Sequence, residues 1–424
     1  MISPRFNQML LEWVGEDHFV SYQDSKLNLY RLLENTDTNR RELQPLNSGD
    51  GNRGNDGWRG LPGVTCMAFN RGFVSQSQKQ NALAVGTSVG RVSLVDVIGG
   101  IAPTTLTESK DNDDTIVCSQ SQYTRRACTD IAWHPTNSSL LAASFDKMRS
   151  EYSGVVWDVN SSSGSGSSGG CLEITKCSMD EAASTLAWST YDSPSLMIGT
   201  AKGILKLHDL RTFNTYSTES LTLPASTRKI KGIRCNPFNS HVIATFVESD
   251  IEPVKIWDLR KIRAGKSKIE PVYSIQIVSS SSDIVDESNS NSTRERRSSS
   301  IPSATITDVQ WCTHRPNLLS VASTASKHLQ IYGVDDEKKV SSRSVYSVSV
   351  APSDVSRTSK TSSSTPVSGF IQAFSWQSAN TENLPTRAPR LLVGSDVGKR
   401  NIKQMLSISI SLKIAFSHTV FVNL

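Results

Sequence analysis

Two short stretches place an aspartate and an arginine two positions apart at the end of an apolar run. Asp209 and Arg211 lie in LHDLR, and Asp258 and Arg260 lie in IWDLRK. The carboxylate of such a pair can hold a tight turn, and the planar guanidinium pairs well with carboxylates, which suits an anchor in a protein interface. We therefore predict partner-binding sites at both pairs. The alternative is a structural turn with the arginine on the surface.

A basic segment precedes Ser299 and gives a second candidate for chemistry. Arg294 and Arg296 stand five and three residues before this serine, the spacing that basophilic kinases read, and Arg297 follows them. A phosphate on Ser299 would bring up to about two negative charges beside these arginines. The sequence predicts a phosphorylation site here, and the alternative is a solvated charged loop.

The remaining patterns give little support to an enzyme or a cofactor-binding protein. Gly164 to Gly169 match G-x-G-x-x-G, but the following GCLEITKCS favours a strand over the helix that a dinucleotide site needs. The sequence has no phosphate-binding loop and no H-E-x-x-H, and its seven histidines never stand at metal-ligand spacing with cysteine. We therefore expect no catalytic residue, no cofactor and no metal.

Composition favours an intracellular globular protein with long polar insertions. The chain has 424 residues, of which 37% are hydrophobic, and a formal net charge of +5, which is weak for a nucleic-acid binder. Seven cysteines without a C-x-x-C pair predict buried, reduced thiols. The amino terminus lacks a basic region followed by an apolar stretch, so secretion is not expected. The tail alternates polar and apolar residues from Leu406 to Ile414, which indicates a strand and not a membrane span.

The candidate residues belong to a repeated pattern that we count seven times. ACTDIAWHPTNSSLLAASFDKMRSEYSGVVWDV is the clearest copy. Each copy begins with an alternating strand that ends on a bulky residue, continues through a polar turn into a strand of small apolar residues, and finishes on an apolar strand closed by aspartate or its substitute. Copies of about 40 to 45 residues with four strands are typical of propeller blades, which bury their faces only against neighbouring blades.

The sequence therefore predicts an all-β, seven-bladed β-propeller over residues 1–395, with the last blade incomplete. The predicted blades are 9–33, 62–98, 127–159, 183–211, 230–261, 305–334 and 369–395, separated by Ser- and Gly-rich loop insertions. We place the bulky residues on the second strand of each blade, packed between blades. The expected blade core comprises Trp13, Phe69, Trp133, Trp157, Trp188, Trp257, Trp311 and Trp376. Residues 396–424 form a divergent tail, for which we hypothesise a strand that closes the last blade.

Three of these stretches resemble the amino-terminal propeller of the Mio/Mios (missing oocyte) family of WD-repeat proteins. They are NALAVGTSVGRVSLVDV, VKIWDLRK and, most specifically, LAASFDKMRSEYSGVVWDV, which contains a D-K-x-R insertion before its last strand. The resemblance covers about Leu11 to Ser395. It implies a non-enzymatic scaffold subunit of a SEA/GATOR assembly, peripheral at the lysosomal or vacuolar membrane, that favours TOR complex signalling when amino acids are plentiful.

The resemblance also implies partners, namely other SEA/GATOR subunits. A Seh-type nucleoporin propeller is among them where the chain continues into the α-solenoid and zinc-binding module of the family. From about Asp396 the sequence departs from the family pattern. No nucleic-acid partner and no membrane insertion are expected. A second hypothesis is a substrate receptor for a cullin-type ubiquitin ligase, because W-D-x-R endings such as Trp257 to Arg260 resemble the boxes that dock cullin adaptors in some WD-repeat proteins. Co-purifying partners distinguish the two.

Overall fold

The computed structural model describes residues 9–15, 17–23, 26–35, 40–46, 63–70, 82–96, 117–118, 126–146, 152–159, 172–177, 181–191, 195–211, 221–248, 250–263, 269–277, 305–324, 328–334, 346–349, 371–377, 390–395 and 406–409. Ser299, the G-x-G-x-x-G match and the Ser- and Gly-rich insertions lie outside these residues.

The described residues form seven antiparallel sheets that follow one another along the chain. The first sheet contains β1 (Leu10–Trp13), β2 (His18–Gln23), β3 (Lys26–Asn35) and β4 (Arg40–Pro45). The second contains β5 (Val64–Phe69), β6 (Ala82–Thr87), β7 (Val92–Asp96) and β8 (Val117–Cys118). The third contains β9 (Cys128–Trp133), β10 (Leu140–Phe145), β11 (Gly154–Asp158) and β12 (Leu172–Cys177). The fourth contains β13 (Ala183–Ser189), β14 (Ser195–Thr200), β15 (Ile204–Asp209) and β16 (Leu221–Pro224).

The remaining three sheets continue this order. The fifth contains β17 (Ile230–Cys235), β18 (Val242–Val247), β19 (Val254–Asp258) and β20 (Tyr273–Ile275), with the short helix α1 (Leu259–Arg263) between its last two strands. The sixth contains β21 (Ile306–Trp311), β22 (Leu318–Ser323), β23 (His328–Gly333) and β24 (Tyr346–Ser349). The seventh contains β25 (Ile371–Trp376), β26 (Arg390–Ser395) and β27 (Leu406–Ser409).

The sheets stand side by side around a ring. Each first strand contacts the first strand of the next sheet, and β25 of the seventh sheet contacts β1 of the first. Every residue of β6, β10 and β14 is buried, because these second strands of small and apolar residues have a neighbouring sheet on both faces. The predicted all-β propeller with almost no helix is confirmed.

The hydrophobic core is divided among the contacts between neighbouring sheets. Each of seven clusters of buried side chains joins two adjacent sheets. The cluster that closes the ring packs Leu11 and Trp13 of the first sheet against Ala373 and Leu392 of the seventh. Because no sheet buries its own faces alone, the ring depends on contacts between sheets distant in sequence.

Four tryptophans, each at the end of a first strand, connect neighbouring sheets through a hydrogen bond. The indole Nε1 donates at 3.0 Å to a main-chain oxygen of the preceding sheet: Trp13 to Ser375, Trp133 to Ala68, Trp188 to Ala132 and Trp311 to Arg234. Each acceptor directly precedes the bulky residue that ends the first strand of its own sheet. We call these four bonds the indole ladder.

A second series of bonds joins the opposite ends of the first strands. The second residue of a first strand donates from its side chain to the main-chain oxygen of the first residue in the next first strand. The pairs are Thr65 to Cys128 (2.6 Å), Thr129 to Ala183 (2.9 Å), Ser184 to Ile230, Lys231 to Ile306 (2.6 Å) and Thr307 to Ile371 (3.2 Å). Both ends of the first strands are thereby held against their neighbours.

The positions of the bulky residues correct one expectation. They end the first strand of each sheet, not the second, because the first strands form the ring in which each bulky side chain fills the space toward the preceding sheet. Trp157 and Trp257 lie on third strands. Buried are Trp13, Trp133, Trp157, Trp188, Trp257, Trp311 and Trp376, whereas Phe69 is partly buried.

The last strand of each sheet lies beyond the range predicted for its copy. β12 begins at Leu172, for example, although the third copy was expected to end at residue 159. In the divergent tail, β27 pairs with β26 and places Leu406 opposite Val393 and Ser409 opposite Arg390. The seventh sheet thus includes a strand from the tail and has three strands among the described residues.

Trp133 tests the ring. Replacing Trp133 by alanine removes a buried aromatic side chain and should lower the free energy of unfolding by about 3 to 5 kcal/mol. Trp133→Phe keeps most of the volume but removes the N–H donated to the oxygen of Ala68, so it should cost less, by an amount that includes about 1 kcal/mol for this bond. Thermal and urea unfolding measure both. Unchanged stability in Trp133→Ala would contradict the position of Trp133 between sheets.

Candidate partner interface

Asp258 and Arg260 form a closed ion pair where β19 passes into α1. One carboxylate oxygen of Asp258 accepts hydrogen bonds from the main-chain N–H of Arg260 at 2.9 Å and from its Nε at 3.0 Å. The other accepts from a terminal guanidinium nitrogen at 2.8 Å. The side chain of Arg260 is 57% exposed, whereas that of Asp258 is 11% exposed. The aspartate thus fixes the turn and also fixes the direction of an exposed arginine.

The electrostatics of this pair keep Asp258 ionised. The side-chain hydrogen bond from Arg260 lowers the pKa of Asp258, against a smaller opposing effect of burial. Because a lowered pKa keeps the carboxylate charged well into acid, the ion pair is fully formed at neutral pH and is lost only as pH falls through the lowered value.

Asp209 and Arg211 repeat the arrangement more loosely in the fourth sheet. The main-chain N–H of Arg211 donates to Asp209 at 3.0 Å, and its Nε lies 3.4 Å from the second carboxylate oxygen. Both side chains are about half exposed, at 54% and 51%. Water therefore screens this pair, which contributes little to stability.

Helix α1 holds Arg260 at the boundary between the fourth and fifth sheets. The helix contacts β16 of the fourth sheet as well as β19 of its own. Leu259 and Ile262 are buried in the cluster that joins these two sheets. The main-chain N–H of Leu259 also donates to the oxygen of His241 at 2.8 Å. Arg260 lies between these two buried residues in sequence and is directed outward by them.

Aromatic side chains are exposed at the same end of these two sheets. The ring of Tyr191, after β13, meets the ring of His241, before β18, edge to face with centroids 4.8 Å apart. Phe238 is exposed on the turn after β17, where Asn236 accepts the main-chain N–H groups of Phe238 and Asn239. We call Tyr191, Phe238, His241 and Arg260 the aromatic–arginine patch.

Topology places the patch on one face of the ring. In antiparallel sheets, the connections after the first and third strands leave from the same edge. Tyr191 and Phe238 follow first strands, and Arg211 and Arg260 follow third strands. Exposed tyrosine and arginine on a fixed backbone are typical of the residues that carry most of the binding energy in protein interfaces. The patch therefore suits docking of another protein.

A charged cluster lies on the inner strands, and sequence reasoning missed it. Arg234 of β17 donates from Nε to the oxygen of Val309 at 3.0 Å and from a terminal nitrogen to Asp308 of β21 at 3.0 Å. Burial lowers the pKa of Arg234, but the charges of Asp308 and Asp130 raise it more, so the net shift is upward. Arg234 remains charged and ties the fifth sheet to the sixth.

Asp130 of β9 extends this cluster to the third and fourth sheets. Its carboxylate accepts hydrogen bonds from the hydroxyl of Thr185 at 2.6 Å and from the main-chain N–H of Leu186 at 3.1 Å. Burial raises the pKa of Asp130, and the positive charge of Arg234 is the largest opposing influence. The charges of Asp130 and Arg234 therefore interact electrostatically, although the two residues lie in the third and fifth sheets.

A sequence signal for the cluster does exist. The position before the bulky residue is alanine in the second, third and fourth copies, as Ala68, Ala132 and Ala187, but arginine in the fifth. An arginine at a position that is alanine in the three preceding copies indicates a special environment. The aromatic–arginine patch gave no comparable signal, because Tyr191 and Phe238 lie in turns whose shape the repeat does not specify.

The described residues contain no metal site and no membrane-spanning helix. No group of three or more His, Cys, Asp or Glu side chains among them could hold a metal ion. In that same part of the chain, no helix has the length and apolarity needed to cross a bilayer.

Arg234 and Arg260 differ in their expected contribution to stability. Arg234→Ala leaves Asp308 without its charged donor and opens the contact between the fifth and sixth sheets, so it should lower the free energy of unfolding by about 2 kcal/mol. Arg260→Ala, a control on the exposed face, should stay within about 0.5 kcal/mol of the parent chain. Urea unfolding of both variants measures the difference. Equal stability of the two variants would contradict the role of the inner cluster.

Comparison with known proteins identifies the repeat. Residues 61–271 match a family model described as MIOS, WD40 repeat, and this range includes both Asp–Arg pairs and the whole aromatic–arginine patch. The chain is 25% identical over 290 residues to GATOR2 complex protein MIOS of Danio rerio, covering 64% of this chain and 27% of that protein. It is 24% identical over 294 residues to GATOR2 complex protein MIOS-A of Xenopus laevis, covering 63% and 26%.

Two further similarities complete the comparison. GATOR2 complex protein Mio of Drosophila melanogaster is 22% identical over 317 residues, covering 73% of this chain and 28% of that protein. The chain thus spans about a quarter of the length of these relatives. The crystal structure of the Cps50 (Swd1) β-propeller domain of Myceliophteria thermophila matches 89% of this chain and 90% of its own with a TM-score of 0.51 at 11% identity, which supports the fold alone. By its repeat pattern, its family match and these relatives, the chain belongs to the Mio/Mios family of WD-repeat proteins.

Proposed function

We propose that this chain is a non-enzymatic interaction subunit of a GATOR2-type complex. In this proposal the complex promotes TOR complex signalling when amino acids are available, and the chain acts at the lysosomal or vacuolar surface without entering the bilayer. The observation that carries the proposal is the MIOS WD40 match over residues 61–271, together with relatives that are themselves named as GATOR2 complex proteins.

The geometry of the second to fifth sheets supports an interaction role. The matched range holds the aromatic–arginine patch, whose side chains project from turns fixed by buried neighbours. Binding a partner should cost these side chains little conformational entropy, because the indole ladder and α1 already restrict the backbone that carries them. We propose that this patch docks another subunit of the complex. A Seh-type nucleoporin propeller is a further proposed partner where the protein continues beyond its propeller.

A cullin-type receptor is the second hypothesis, and it depends on Arg260. The exposure of this arginine agrees with a docking role. Its guanidinium, however, already pairs with both oxygens of Asp258, so an adaptor would have to compete with or share that pair. The closed ion pair favours the turn-forming role of Asp258 and makes the GATOR2-type proposal the stronger of the two.

Affinity purification of the tagged chain separates the two proposals. The GATOR2-type proposal predicts that other subunits of that complex co-purify and are identified by mass spectrometry. The receptor hypothesis predicts a cullin adaptor in their place. Recovery of the adaptor without GATOR2 subunits would overturn the first proposal.

The patch is tested by substitution within the same purification. Tyr191→Ala and Phe238→Ala should each weaken capture of the docked subunit by about tenfold, which corresponds to the 1 to 2 kcal/mol of an interface anchor. Val89→Ala is a control, because Val89 is also an exposed apolar residue and lies on the opposite face of the ring. Thermal unfolding should be the same for all three variants. Undiminished capture by both aromatic variants would refute docking through the patch.

A further inference from the structure

Two cysteines from neighbouring sheets meet inside the ring. Cys66 on β5 of the second sheet and Cys128 on β9 of the third have their sulfur atoms 3.7 Å apart. Both are free thiols and both are buried, with exposed fractions of 7% for Cys66 and 0% for Cys128. They are 62 positions apart in sequence, and only the ring brings them together.

The surrounding backbone holds the pair in place. The hydroxyl of Thr65 donates to the main-chain oxygen of Cys128 at 2.6 Å and lies 3.1 Å from that of Gly86, which fixes the two strands at the level of the sulfurs. Both sulfurs pack against the bare backbone of Gly86. A Cβ atom at this glycine would lie 2.6 Å from each sulfur and 3.1 Å from the Cβ of Cys128. The absence of a side chain at position 86 is therefore what allows the thiols to meet.

The two thiols have unequal roles. The hydrogen bond with Cys66, reinforced by burial, raises the pKa of the Cys128 thiol well above its usual value. Cys128 is therefore a neutral thiol at physiological pH, and its sulfur also lies 3.6 Å from the main-chain oxygen of Asp130. Cys66 is the less completely buried of the two and so the sulfur that a small reagent reaches first.

We propose that Cys66 and Cys128 are a redox-sensitive thiol pair that hydrogen peroxide converts into a disulfide linking the second and third sheets. A peroxide is the expected class of oxidant because it is small enough to reach a sulfur that is nearly closed off from solvent. The proposal rests on the meeting of the two thiols and is independent of the proposed function.

The reaction balances in two steps. Deprotonated Cys66 attacks one peroxide oxygen, the O–O bond breaks, and Cys66 becomes a sulfenic acid while hydroxide leaves and takes up a proton as water. The sulfur of Cys128 then attacks the sulfur of Cys66, the S–O bond breaks, and hydroxide leaves with the proton of Cys128 as a second water. Two thiols lose two electrons to one peroxide. The sulfurs, which lie 3.7 Å apart in the reduced pair, must approach to about 2.05 Å when the disulfide forms.

The disulfide would join the second and third sheets covalently. Without it, these sheets are held together by side-chain packing and by hydrogen bonds such as those from Trp133 to Ala68 and from Thr65 to Cys128. It would restrict the unfolded chain, and it would prevent the second and third sheets from separating. Oxidation should therefore raise the melting temperature by roughly 5 °C.

The test uses the full chain, purified with its thiols reduced and then treated with hydrogen peroxide. Digestion without reduction and mass spectrometry should find a peptide pair joined between Cys66 and Cys128, and alkylation should find two thiols fewer. Dithiothreitol should reverse both changes and the rise in melting temperature. Oxidation of either cysteine to sulfinic acid without a joined peptide pair, or unchanged alkylation, would overturn the proposal.

Variants make the assignment specific. Cys66→Ser and Cys128→Ser should each abolish the peroxide-dependent rise in melting temperature, whereas Cys177→Ser, which removes another buried thiol, should retain it. Gly86→Ala should reduce the yield of joined peptide at least severalfold, because its methyl group occupies the space between the sulfurs. An equal rise in Cys66→Ser would contradict the proposal. The joined peptide of the parent chain decides the matter even if a serine variant fails to fold.

Discussion

The hydrogen bond from a buried indole N–H to the main-chain oxygen of the preceding sheet is the interaction on which the rest of the ring depends. A buried N–H without an acceptor costs more than a formed bond contributes, so the position of each tryptophan is restricted to places where an oxygen is available. In the four bonds of the indole ladder the acceptor is the residue before the bulky end of a first strand, whereas Trp376 donates to the hydroxyl of Ser320. Each such bond therefore fixes how far one sheet is shifted along its neighbour, and with it the position of the turn that follows the first strand.

The same regularity explains where function-bearing residues can occur. The indole ladder uses the main-chain oxygen at the acceptor position, so the side chain there is free to vary: it is alanine at residues 68 and 132, serine at 375 and arginine at 234. At Arg234 that freedom supplies the charge for the inner cluster with Asp308 and Asp130. The backbone contacts thus repeat from sheet to sheet, whereas the side chains at the acceptor position differ. This difference gives the fifth and sixth sheets an ion pair between Arg234 and Asp308.

The sequence predicted what is local and missed what joins distant parts. Alternation and runs of small residues predicted the first three strands of each sheet, because these strands are buried and their pattern reflects it. The last strands, such as β8 and β16, lie outside the predicted blade ranges. They pair with another strand on one side only and need little apolar character, so their sequence pattern is weak. The contacts of Asp130 with Thr185 and of Cys66 with Cys128 depend on the closed ring, which no local pattern encodes. The shape of the turns that carry Tyr191 and Phe238 likewise depends on neighbouring sheets.

Contacts between sheets that use main-chain oxygens tolerate many side-chain changes, which agrees with a family relationship at 22 to 25% identity. The indole ladder bonds to main-chain oxygens, so the side chain at each acceptor position can vary without loss of the bond. The family match over residues 61–271 includes two complete rungs of the indole ladder, from Trp133 and Trp188. It excludes the bond that closes the ring, because Trp13 precedes the matched range and Ser375 follows it. The matched range also contains the whole aromatic–arginine patch, and the curated relatives align over longer stretches of 290 to 317 residues. A ring whose sheets are held through main-chain oxygens can close although the side chains at the acceptor position differ from sheet to sheet, because each bond of the indole ladder needs only an indole N–H and a main-chain oxygen.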